Sequence, residues 1–125
     1  FNPAHKLTHQ FAETAIQEGI MSFAQAEKRA KELFRRLDLP DPDNIGSRFP
    51  HQVSGGQLQR CMVAMAMACN PDLIIFDEPT SGLDPGQIIE IRELLRELGE
   101  DKTVILSTHI LAEAQMSCRR LLVIR

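Results

Sequence analysis

Apolar positions along the chain recur with a helical period in the first half and as short unbroken runs in the second. Leu7, Phe11 and Ala15 fall at i, i+4 and i+8. Ala26, Ala30, Leu33, Phe34 and Leu37 form a second stripe with charged residues between them, and together the stripes predict two amphipathic, mobile helices over residues 1 to about 50. Gly19 lies between the two. Asp38-Leu39-Pro40-Asp41-Pro42-Asp43-Asn44 ends the second with turn chemistry and prolines that cannot continue a helix. Core packing is the first use of both stripes. The run from Cys61 to Cys69 is apolar on every side, which predicts a helix packed over most of its surface with its methionines as core filler.

The second half reads as strands and helices in alternation. Leu73-Ile74-Ile75-Phe76 runs without a break into Asp77-Glu78-Pro79 and predicts a strand buried on both faces. Asp84-Pro85-Gly86-Gln87 is a helix start with aspartate as cap, and Ile88, Ile91, Leu94, Leu95 and Leu98 mark its apolar face up to Gly99 as stop. Thr103 to His109 is a second buried strand ending in histidine. Residues 110–118 form a short helix, and Leu121-Leu122-Val123-Ile124 a third strand. In open parallel sheets ligands bind outside the carboxyl ends of the strands. Two adjacent acids there are costly unless a cation or a proton relieves them. Asp77 would serve a hydrated Mg²⁺, and Glu78 would orient and deprotonate an attacking water, two jobs that a metal-bound phosphoryl transfer requires. Taken alone, the same stretch is also what a strand running into a turn looks like, and His109 alone reads as a structural hydrogen-bonder.

Ser54, followed three places later by Gln57, is a capping-box pattern for a helix running to about Cys69. Gly55 and Gly56 then occupy its first turn. Glycine there costs up to about 1 kcal/mol against alanine, but it lets another group approach bare backbone amides at a helix N-terminus, where the macrodipole favours phosphate.

The composition, with 125 residues of which 43% are hydrophobic and 25% charged and a net charge of −3, fits one soluble globular unit. Lys28, Arg29, Lys31, Arg35 and Arg36 alternate with acids or lie along helix faces, so they read as solvated surface and not as a nucleic-acid footprint. No apolar run approaches the ~20 residues of a spanning helix. Any membrane role is by docking. Cys61, Cys69 and Cys118 read as small buried hydrophobes, while His5, His9 and His51 lack ligand spacing and read as surface or capping residues. Seven glycines are present and none precedes a lysine, so the phosphate-cradling Gly-x-x-x-x-Gly-Lys-Ser/Thr loop does not occur.

Four stretches change the picture when taken in order. Val53-Ser54-Gly55-Gly56-Gln57-Leu58-Gln59-Arg60, Leu73 to Pro79, Ser81-Gly82-Leu83-Asp84 and Ser107-Thr108-His109 resemble the signature motif, Walker B, D-loop and switch histidine of the ATP-binding cassette (ABC) ATPases. The resemblance implies an α/β fold, an incomplete P-loop NTPase with a helical subdomain followed by part of a mainly parallel sheet with flanking helices. On this pattern residues 1–52 are part of the helical subdomain, 53–70 the signature motif and its helix, and 71–125 the C-terminal part of the RecA-like core. Asp77 would hold Mg²⁺ through water, Glu78 and His109 would be catalytic, and Ser54, Gly55, Gly56 and Gln57 would bind ATP held by the opposite subunit. Ser81, Gly82, Leu83 and Asp84 would cross the dimer interface.

The activity implied is ATP hydrolysis energising membrane transport, with peptides among the cargoes. Implied partners are a second ABC ATPase subunit, head to tail, and transmembrane permease subunits, which would place the chain peripherally on the cytoplasmic face of the membrane. The opening Phe1-Asn2-Pro3-Ala4-His5 and the run around Met65 look like the peptide and nickel importer branch. The stretch from Thr80 to Pro85 and that from Ser107 to Ala114 look closer to exporter and gliding-type cassettes. Val53, Met65 and Arg119 stand where family members often carry leucine, arginine and aspartate. Because the P-loop comes early in the family, the pattern implies that about the first half of a cassette is absent. The chain alone would then be inactive and its sheet would carry an open slot between the switch-histidine strand and the last strand. Two alternatives stay open: a non-catalytic partner lending its signature face to an intact cassette, and a soluble ABC protein outside transport, against which the importer-like opening argues.

Overall fold

The computed structural model describes residues 1–124 and divides into two compact units, Phe1–Pro71 and Asp72–Arg125, where composition alone fits a single one; Arg125 itself lies outside the described residues. In the first unit, α1 (Leu7–Gln17), α2 (Phe23–Arg36) and α3 (Gly55–Met67) pack on one another. Two 3₁₀ turns, Ile45–Ser47 and Pro50–Gln52, lie between α2 and α3.

Both predicted stripes are core. Leu7, Phe11, Ala15, Ala26, Ala30, Leu33, Phe34 and Leu37 are all buried, and the Phe11 and Phe34 rings meet edge-on with centroids 6.0 Å apart. Local chemistry sets the helix ends. Gly19 takes φ +66° after α1, while the Ile20 N–H donates back to the Ala15 carbonyl. Ser22 caps α2 in a reciprocal box with Gln25. Asp38, at φ +54°, turns the chain out of it. The basic residues of α2 sit on its solvated side, in exposed or half-exposed pairs Arg29–Glu32, Lys31–Glu27 and Arg35–Asp43 that contribute little each. His9 and His51 are exposed, and His51 stacks on Phe49.

The α3 helix is only half covered. Cys61, Val63, Ala64 and Met67 are buried, but Met62 is 48% exposed and Ala66 is exposed beside it, so packing over most of the surface is not found. The helix closes at Met67, and Cys69 is exposed just beyond it. Of the three cysteines only Cys61 is the buried hydrophobe expected. Burial pushes its thiol up to about 12, which keeps it protonated and unreactive.

In the second unit β1 (Leu73–Asp77) and β2 (Thr103–Ser107) pair in parallel, from Leu73 opposite Thr103 to Asp77 opposite Ser107. Between them in sequence lies α4 (Pro85–Asp101), which packs on β2 and on α5 (Leu111–Ser117) through a face holding buried Ile91, Leu95 and Leu98. The expectation of strands buried on both faces is not met. Ile74 and Phe76 are buried, whereas Leu73 and Ile75 on the opposite face are 48% and 64% exposed, and Ile105 beside Ile75 is 48% exposed. A parallel strand is covered twice only when layers lie on both sides of its sheet, and among the described residues that second layer is lacking over Ile75 and Ile105. The third strand is not found either. Leu121 to Ile124 have no strand structure and are exposed, because a strand needs a neighbour to hydrogen-bond and the described sheet has two members only.

Gly99 does not stop α4, which continues through Asp101. Its φ is not among the left-handed ones, and a Cβ built there meets nothing within 4 Å. Gly46 is the opposite case. A Cβ there would run into the Thr8 hydroxyl and meet Phe34 Cε2 at 3.3 Å. Gly99→Ala should therefore raise stability by about 0.5–1 kcal/mol through helix propensity. Gly46→Ala should lower it by about 1–3 kcal/mol through overpacking. Urea denaturation of the two variants checks both signs, and a destabilised Gly99→Ala would contradict the helix assignment.

Candidate active site

Parallel pairing brings the carboxyl ends of β1 and β2 side by side, with Asp77 opposite Ser107. The ladder continues one step further, where the Glu78 N–H donates to the Ser107 carbonyl at 2.8 Å. Glu78 then turns sharply, at φ +48°. The other non-glycine residues of that kind are Asp38, Asp41 and Asn70, types whose short polar side chains tolerate the left-handed region. Glutamate is not one of them. Its backbone stores strain of about 1–3 kcal/mol, a feature found at functional sites more often than elsewhere.

The Glu78 side chain meets the segment that follows β2. Its Oε1 accepts from the His109 backbone N–H at 2.8 Å and lies 2.8 Å from His109 Nδ1. A carboxylate only accepts, so Nδ1 must carry the proton in this contact. The hydrogen bond from His109 holds the Glu78 carboxyl below its ordinary range, and the same bond with the Glu78 charge raises His109 above its own. Glu113 adds a smaller push on the histidine in the same direction. The site is open to water, with the Glu78 side chain 31% and the His109 side chain 77% exposed.

Asp77 is exposed at the end of β1. Among the described residues no three of His, Cys, Asp and Glu gather closely enough to hold a metal ion. A single exposed carboxylate such as Asp77 is a donor set that fits an ion keeping most of its waters. Ser81 to Asp84 form the turn that follows. The Ser81 N–H donates to the Glu78 carbonyl, the Leu83 N–H to the Thr80 carbonyl, and Gly82 takes φ +75°. Asp84 caps α4, its Oδ1 accepting from the Gln87 N–H at 2.9 Å. Sequence reading passed over a buried contact nearby: the Thr80 hydroxyl donates to Glu113 Oε2 at 2.5 Å, with both residues 9% exposed. A carboxyl thirty-three positions away leaves no local signal.

Ser54, Gly55, Gly56 and Gln57 belong to the first unit. The predicted capping box is present, Ser54 Oγ accepting from the Gln57 N–H at 3.3 Å and Gln57 Oε1 from the Ser54 N–H at 3.0 Å. Neither glycine has a positive φ, so freedom of access and not of conformation is the use of glycine here. Arg60, one turn on, donates to the Leu37 and Asp38 carbonyls at 3.1 and 2.9 Å and so anchors α3 to the end of α2. Its role had no sequence signal.

Residues 2–81 match the family described as ABC transporter. The dipeptide transport ATP-binding protein DppD of Haemophilus influenzae is 41% identical over 125 residues, which is 98% of this chain and 38% of that protein. The oligopeptide transport ATP-binding protein OppD of Bacillus subtilis is 40% identical over 110 residues, 86% of this chain and 31% of that protein. The chain thus spans about a third of the curated relatives it matches. Among solved structures, a dimeric post-hydrolysis state of the ATP-binding cassette MJ0796 bound to ADP and Pi superposes with a TM-score of 0.72 at 33% identity, covering 92% of this chain and 50% of that one.

The Glu78–His109 contact fixes a pH window. Glu78, lowered from 4.5, contributes fully above that value and is lost as pH falls through its lowered one. His109, raised from 6.5, contributes fully below that value and is lost as pH rises through its raised one. The pair is thus fully formed between about 4.5 and 6.5. An NMR titration of the His109 ring should show a pKa above 6.5 that drops back toward it in Glu78→Gln. An unchanged titration would remove the contact from the account.

Proposed function

Since the chain belongs to the ABC transporter family, we propose that it forms part of an ATP-hydrolysing subunit that powers membrane transport, with peptides as the cargo class. The observation that carries this reading is the pairing of Glu78 with His109 at the carboxyl end of a parallel sheet, directly after Asp77. The cargo class is supported by relatives that are themselves dipeptide and oligopeptide transport proteins. No described helix is long and apolar enough to cross a membrane. On this reading the chain docks on permease subunits at the cytoplasmic face.

Glu78 is the base that takes a proton from the attacking water. Both of its contacts with His109 end on Oε1, and the Thr108 side chain also donates to the carboxyl. A carboxylate held low by a donor is a weak base. His109, largely exposed, has room to turn its ring from Glu78 toward the γ-phosphate, which would remove one of the donors that restrain the base and offer that donor to the transferring group. Asp77 is the residue that would hold Mg²⁺ through water, and the ion would supply neutralisation of the charge that develops during transfer. Ser54 and the amides of Gly55, Gly56 and Gln57 present a capped helix N-terminus to the phosphates of ATP bound on a second cassette. The turn from Ser81 to Asp84 meets that cassette head to tail.

A second reading is a partner that lends its signature face, Ser54 to Gln57, and hydrolyses nothing itself. The intact mass of the native gene product separates the two. A product about twice this length, with a Gly-Lys-Ser/Thr loop upstream, supports the catalytic reading, and one of 14.1 kDa supports the partner. In a product that turns over ATP, Glu78→Gln should cut kcat by ~10²–10⁴ with little change in KM, as loss of a general base does. Near-normal turnover by this variant would refute the assignment of Glu78.

A further inference from the structure

Side-chain contacts join the segment after β1 to the segment after β2 at two depths. The outer link, between Glu78 and His109, is open to water. The inner one is buried and joins Thr80, two residues past Glu78, to Glu113, four residues past His109. A carboxyl group 9% exposed loses most of its hydration, and it stays there only because a donor compensates it. The Thr80 hydroxyl is that donor.

Thr80 and Glu113 each sit at a junction. The Thr80 carbonyl accepts from the Leu83 N–H and so closes the turn that leads to Asp84. The Glu113 N–H donates to the Ile110 carbonyl in the first turn of α5, directly after His109. The Glu78 backbone is held in the left-handed region, a conformation that persists only where its surroundings over-determine it. The outer link alone is too exposed for that. A charged contact in water is worth little and is readily exchanged for solvent.

We propose that the Thr80–Glu113 hydrogen bond is the positioning contact that sets Glu78 against His109, which makes Thr80 and Glu113 positioning residues for the reaction. The inner link holds the two segments at a fixed separation while the outer one opens and closes over it. Its significance for catalysis rests on the reading of Glu78 and His109 given above, but the geometry it asserts can be tested without turnover.

The test uses the 125-residue chain labelled with ¹⁵N, and the probe is the His109 backbone amide, which donates to Glu78 Oε1. Glu78→Ala defines the resonance position of that amide with the bond lost. Thr80→Val should shift the His109 amide toward the Glu78→Ala position, whereas Thr80→Ser, which keeps the hydroxyl, should leave it where the parent chain has it. A His109 amide unmoved in folded Thr80→Val would overturn the proposal, as would a Thr80→Ser variant that shifts as far as Thr80→Val. Should Thr80→Val unfold the second unit, Glu113→Gln keeps the shape and replaces a charged acceptor by a neutral one. It should then give a partial shift in the same direction, and no shift would be the contrary result. ATP turnover plays no part in the readout, so failure here leaves the assignment of Glu78 as base standing, and failure of that assignment leaves this contact standing.

Discussion

Backbone hydrogen bonds between β1 and β2 hold Asp77 opposite Ser107, and one further bond, from the Glu78 N–H to the Ser107 carbonyl, carries the pairing past the end of the strands. Everything chemical in the second unit follows from that last rung. It fixes the residue after Asp77 beside the residue before Thr108, so that two segments remote in sequence leave the sheet together. Because the pairing is parallel, both leave at their carboxyl ends, where amide and carboxyl groups converge on one point. A slip of register by one residue would turn Glu78 to the other side and separate it from His109.

What the pairing assembles is a carboxylate that starts out restrained. Two N–H groups of His109 converge on one oxygen of Glu78, lowering the carboxyl and raising the histidine. On the proposed reading, a base held in this way is weak until the ring donor is withdrawn. The exposed outer contact can exchange with water while the buried Thr80–Glu113 bond stays made. Local strain at Glu78 adds to the same picture, since a backbone in the left-handed region is held by its neighbours and not by its own preference.

The helical unit was legible from the chain because its signals are local. A stripe at i, i+4 and i+8, a glycine at a left-handed turn, and a serine three places before a glutamine each act within a few residues, and Leu7, Phe11, Ala15, Gly19, Ser54 and Gln57 do as their spacing says. The fold class was legible through the order of four motifs, and the chain is a partial ABC ATPase cassette with a short parallel sheet. In the second half the buried face of α4 was legible through Ile91, Leu95 and Leu98, but the burial of the strands was not. An apolar run such as Leu73 to Phe76 states what a strand prefers, whereas the exposure of Ile75 and Ile105 depends on layers that the run does not encode. Leu121 to Ile124 failed for the same reason, since a strand exists only with a partner. At the site, the residue types were readable and the constraints on them were not. The turn at Glu78, the reach of Arg60 to the end of α2 and the bond between Thr80 and Glu113 all join distant positions or depart from residue preference.

The central claim is that Glu78 and His109 act as one device. The most direct measurement is a double-mutant cycle, Glu78→Gln with His109→Ala, on the rate of ATP hydrolysis by the native gene product. If the pair works as a unit, the double variant should be about as slow as the slower single variant, a strong departure from additivity. Losses that simply multiply would mean that the two residues act independently, and the contact between them would then be a feature of the resting structure only.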